Sequence, residues 1–169
     1  MPAVAPETLA GPLSDGSGLT VQIVWTGRAV DDQSTDCLAP EDEVALVVAR
    51  GGREVARKVY CSSYGLAKLW LKADAKGARF AIVSLGEGRG TSATSYYLVT
   101  YQLTPTPVER TRTRTREVWP TGSWDYEVSR IQTPDEGGLL IELQRKLDGE
   151  PYPGLPLPPN RTTVSVTPR

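Results

Sequence analysis

Histidine is absent from the 169 residues, and that absence excludes more chemistry than any motif in the chain includes. Imidazole is the commonest general base near neutral pH and the commonest metal ligand. A serine triad of the usual kind, a histidine-rich zinc site and a Cys–His nucleophile pair are therefore ruled out. Carboxylate chemistry, Ser–Lys pairs and arginine-based sites survive. Long apolar runs are missing as well, since none approaches the roughly 20 residues of a membrane-spanning helix. Neither sign of charge dominates: 19 basic residues face 20 acidic ones, a formal net charge of −1. Bulk charge thus does not attract a polyanion, and an electrostatic partner needs a local patch. Lysine and asparagine are scarce, with 14 arginines to 5 lysines and a single Asn160, a bias that a GC-rich bacterial genome produces.

There are two cysteines, Cys37 and Cys61. Without histidine they make a poor metal site, which leaves two reduced thiols or one disulfide. We expect the disulfide. It would close about 25 residues, contribute about 3 kcal/mol through the entropy of the unfolded chain, and place the protein in an oxidising compartment. The start, Met1-Pro2-Ala3-Val4-Ala5-Pro6, has neither a basic nor an apolar signal-peptide region. The expectation is an extracytoplasmic protein (periplasmic, cell-surface or secreted) whose export signal is absent from this sequence. The Pro/Gly/Ser-rich residues 1–18 read as a flexible tether.

What the chain has in quantity is strand signal. Arg110, Arg112, Arg114 and Arg116 alternate with Thr111, Thr113 and Thr115. Successive side chains of a strand point to opposite faces, so this period of two predicts a β-strand with a basic face. Further β runs are predicted over 19–26, 43–50, 54–61, 79–85, 95–103, 123–131, 139–147 and 162–167, with the Gly51-Gly52 pair as a two-residue hairpin turn. Residues 67–74 are ambiguous. Leu66, Leu69, Trp70 and Ala73 have helical spacing, yet Lys68, Trp70, Lys72 and Asp74 alternate with Ala67, Leu69, Leu71 and Ala73. The turn and strong β run that follow favour a strand.

The arginine face is the first candidate site. Same-face side chains repeat every ~6.8 Å, of the order of the charge spacing on a single-stranded polyanion. Against this, charged strands blunt edge-to-edge pairing, and Asp125, Glu127 and Glu142 are available as cross-strand partners. Trp119 and Trp124 flank a tight turn with Tyr126 nearby, placed either to stack on a ligand or to plug a core. The glycines of 86–90 have the density of a phosphate cradle but no following helix, so a long hairpin loop is expected. Asp31, Asp32, Asp36, Glu41, Asp42 and Glu43 form an acidic stretch without EF-hand spacing, read as a solvated loop, with calcium binding as the alternative. A glycosidase needs two carboxylates about 5–9.5 Å apart, and Glu127 with Glu142 on neighbouring strands is a candidate pair.

The fold expected is all-β, an antiparallel β-sandwich or open barrel of about nine strands. A flexible segment 1–18 precedes the β domain 19–148, and a proline-rich arm 149–169 ends in a β segment. The functional expectation is a non-catalytic extracytoplasmic domain in protein–protein binding or self-assembly, with residues 162–167 adding to a neighbour's sheet edge. An anionic-polymer binder (polysaccharide or nucleic acid) using the arginine face is second, and a carboxylate hydrolase third. No cofactor or metal is implied.

Overall fold

The structure, a computed structural model, describes residues 7–63, 67–87, 94–150, 154 and 156–169. It is an antiparallel β-sandwich of two sheets. The smaller contains β1 (Thr8–Ser14), β2 (Leu19–Trp25), β3 (Glu43–Arg50) and β4 (Arg53–Cys61) in chain order. The larger contains β5 (Ala67–Ala73), β6 (Arg79–Glu87), β7 (Thr94–Thr104), β8 (Val108–Trp119), β9 (Gly122–Gln132), β10 (Leu139–Gly149) and β11 (Arg161–Val166), again each beside its chain neighbour. Among the described residues the strands number eleven rather than about nine. β1 is the main addition, lying inside the stretch read as a flexible tail. It is an edge strand with two register shifts, and Pro12, which has no N–H, is tolerated there.

Local chemistry explains the hairpins. Gly51 and Gly52 both take positive φ, 58° and 78°, as the tight turn between β3 and β4 requires. Residues 67–73 are a strand, as the alternation favoured, because β6 pairs along their whole length.

The core has two parts on either side of β6 and β7. The small sheet brings Val21, Ile23, Val44 and Leu46 onto Ala81, Val83, Val99 and Tyr101. The opposite set, Phe80, Ile82 and Leu98, is covered by Leu139, Ile141 and Val164 from β10 and β11. Burial on both faces is why β6 carries the continuous apolar run Phe80-Ala81-Ile82-Val83. Two long-range anchors tie distant strands of the larger sheet to one another. The buried Asp74, after β5, accepts hydrogen bonds from the backbone N–H of Lys76 (3.0 Å), Ala78 (2.8 Å) and Gly138 (2.7 Å). The buried Gln102 accepts from the Arg169 N–H at 2.8 Å and donates to the Arg169 carbonyl at 3.1 Å.

Cys37 and Cys61 form a disulfide, with Cα atoms 5.5 Å apart. The bridge ties the loop after β2 to the end of β4. Arg28 adds a second tie, reaching Asp32 at 2.9 Å and Glu43 at 3.0 Å. On that outer side of the small sheet Val24, Ala45 and Val47 are buried. The terminal strand joins the chain's own larger sheet. β11 pairs with β10 over six residues, and Arg110 Nε donates to the Thr167 carbonyl at 2.6 Å. Residues 162–167, from which sheet addition to a neighbour was expected, thus form the edge strand of the chain's own seven-stranded sheet. No helix among the described residues is long and apolar enough to cross a membrane.

Candidate binding cleft

The arginine strand exists, but its four guanidinium groups do not share a face. β8 pairs with β7 through two bulges: Tyr96 opposes Arg116 while Tyr97 opposes Arg114, and Thr100 opposes Thr111 while Tyr101 opposes Glu109. Each bulge inserts one residue without a partner, here Thr115 and Arg110, and resets the alternation. Paired residues project to the same side, so Arg112 and Arg114 lie on the side of Val99 and Tyr97, whereas Arg116 lies with Tyr96 on the other. The contacts agree. Arg112 sits 5.3 Å from the Tyr60 ring and 3.0 Å from Glu109, and Arg114 sits 5.8 Å from the Tyr97 ring. Arg116 lies 5.0 Å from the Tyr96 ring. The predicted single basic stripe is corrected to a divided set.

That division places Arg116 in a cleft. β8 and β9 pair only from Arg116 opposite Asp125 to Trp119 opposite Gly122. Beyond those pairs β8 stays with β7, and β9 stays with β10. Where the strands part, a cleft of about 610 Å³ opens, lined by Lys68 and Trp70 of β5, Tyr96 of β7, Arg116 of β8, and Asp125 and Val128 of β9, among others. Trp70 is 47% exposed and Val128 44%. The Arg116 Nε is buried without a hydrogen-bond partner among the described residues. Burial pushes the Asp125 carboxyl above its ordinary pKa; the positive charge of Arg116 pulls it partly back, and the negative charge of Glu127 adds to the rise. Glu127 itself is held by Lys146 at 2.8 Å.

The other candidates fall differently. Trp119, Trp124 and Tyr126 are buried, at 6%, 3% and 7% exposure, so the stacking role gives way to the core role. The polar ends of Trp119 and Tyr126 hold the proline-rich arm: Trp119 Nε1 donates to the Glu150 carbonyl at 3.0 Å, and the Tyr126 hydroxyl to the Pro159 carbonyl at 2.5 Å. In the acidic stretch, Asp32 and Glu43 are occupied by Arg28, and no three His, Cys, Asp or Glu among the described residues form a metal-ligand group. Glu127 stands opposite Gln144 and Glu142 opposite Arg130, so that carboxylate pair is not aligned across the strands. Of the glycine loop 86–90, residues 88–90 lie outside the described residues.

Sequence reasoning passed over Trp70 and Asp125 as a pair. One signal was available: in β5 the tryptophan occupies the polar register between Lys68 and Lys72, where a core residue would not sit. Nothing local linked it to Asp125, 55 positions away. Comparison with protein-family models, curated proteins and solved structures yields no match.

Proposed function

We propose that this chain is a non-catalytic binding domain working outside the cytoplasm, and that it seats its ligand in the cleft between β8 and β9. The observation that carries this reading is the meeting of two half-exposed apolar side chains, Trp70 and Val128, with Arg116 and Asp125 in one cavity. Apolar surface left in water forgoes about 25 cal/mol per Å² of burial, and concave sites with a few convergent polar groups are where ligands bind. The groups stand on strands rather than loops, which holds their geometry before a ligand arrives. The extracytoplasmic placement rests on the Cys37–Cys61 bridge, because such bonds persist where glutathione does not reduce them.

A fragment screen read by ¹H–¹⁵N NMR tests the site. Shifts gathering on the Trp70 indole N–H and the Arg116 and Asp125 amides are expected. A screen whose hits leave these signals unmoved would overturn the reading. Two titratable thiols in protein recovered from its native cell would overturn the compartment.

A further inference from the structure

Resting on that reading, we infer that the ligand is a neutral saccharide, with a pyranose ring on Trp70 and vicinal hydroxyls shared between Arg116 and Asp125. The charges of the cleft argue for neutrality. Lys68 and Arg116 stand against Asp125 and Glu127 within the same lining, so neither an anion nor a cation meets a uniform field. Hydrogen-bond capacity argues for hydroxyls. Arg116 can only donate, and an ionised Asp125 can only accept; the two face each other directly across β8 and β9. A vicinal diol both donates to the carboxylate and accepts from the guanidinium, so it can serve both lining groups at once.

Platform geometry argues for a ring. Trp70 lies on β5, at the edge of the seven-stranded sheet, with about half of its surface open to the cleft and solvent. A broad aromatic face of that kind offers contact area at low entropic cost to the C–H face of a pyranose. The remaining tryptophans do not compete: Trp119 and Trp124 are in the core, and Trp25 packs against the small-sheet cluster. The cavity, about 610 Å³, lies inside the range of about 300–1,000 Å³ that small-ligand sites span. Guanidinium and tyrosine are already stacked, Arg116 on Tyr96, so the donor is positioned before binding.

The experiment titrates the intact protein with maltohexaose, cellohexaose, mannohexaose and an oligogalacturonate, following tryptophan fluorescence and the Trp70 indole N–H signal. At least one neutral hexaose is expected to bind at millimolar concentration or tighter, with an affinity nearly independent of salt. Trp70→Ala should weaken it by about tenfold or more, Trp70→Phe should restore part of the loss, and Asp125→Asn should weaken it without lowering thermal stability. Binding of the oligogalacturonate alone, falling steeply with salt, would overturn the neutral assignment. Failure of every saccharide while fragments still occupy the cleft would overturn the saccharide and leave the binding domain standing. Silence of the cleft toward fragments and saccharides alike would remove both. A hexaose bound equally well by wild type and Trp70→Ala would place its site elsewhere and overturn the inference.

Discussion

Asp74 is the residue whose replacement tests the fold most directly. Its Oδ1 receives the N–H groups of Lys76 and Ala78, closing the turn between β5 and β6. Its Oδ2 receives the N–H of Gly138, 64 residues along the chain, in the turn between β9 and β10. Ala78 and Gly138 are both buried, so water cannot replace the carboxylate. Asp74→Asn keeps an acceptor for the local pair but turns an NH₂ toward the Gly138 N–H. Exchanging one charge-assisted bond for two opposed donors should cost about 2–3 kcal/mol. Asp74→Ala orphans both buried donors and should cost on the order of 4 kcal/mol. For a chain of this length the alanine variant then melts about 8–16 °C lower. In urea, the midpoint should fall by about 2 M if the slope is near 2 kcal/mol per M. Hydrogen exchange separates the two contacts: in Asp74→Asn the Gly138 amide should lose protection while the Ala78 amide keeps it. An asparagine variant within about 0.5 kcal/mol of wild type, the range of inconsequential substitutions, with a protected Gly138 amide, would refute the bridging role.

Three further outcomes are expected. Cys37→Ala with Cys61→Ala should remove about 3 kcal/mol through the released unfolded chain and steepen the denaturant slope; an unchanged midpoint would contradict that origin. Asp32 should titrate at about 2, held down by the Ser34 hydroxyl and N–H and then by Arg28. Because its folded value lies below the unfolded one, its anchoring is complete above the ordinary aspartate range and is lost as pH falls through about 2. Ser34→Ala should raise that midpoint in a ¹³C carboxyl titration, and no movement would assign the depression to other groups. Arg116→Met should move Asp125, already raised by burial, higher still, since the guanidinium pulls it down. A raised carboxyl favours the folded state at acid pH, so this variant should lose more stability than wild type as pH rises through the carboxylate range.

The strands that alternated cleanly were legible because period two is a property of single strands. Val108–Trp119, Leu139–Gly149 and Arg53–Cys61 all stand where their patterns put them. β1 was not legible, because Gly11-Pro12 breaks its alternation and its support comes from β2 and from Leu9 and Ala10 on the core. The arginine face failed for a sharper reason. The residues alternate without interruption, yet Thr115 and Arg110 bulge, and whether a strand bulges depends on the curvature its neighbours impose. Trp119 and Trp124 were conspicuous beside a turn, but both point into the core, whereas the exposed Trp70, between lysines, entered only as part of a strand pattern.

By itself the amino-acid order determined an all-β chain, the absence of imidazole chemistry and a cysteine pair at bridging separation. Those follow from local periodicity and from which residue types are present. Tertiary structure alone decided that β9 leaves β8 after Asp125 while it keeps β10 as its partner along its whole length. It also carried Lys68 and Trp70 to the same cavity as Arg116 and Asp125. Contacts between residues dozens of positions apart depend on how sheets twist and layer, and no period within a single strand encodes that.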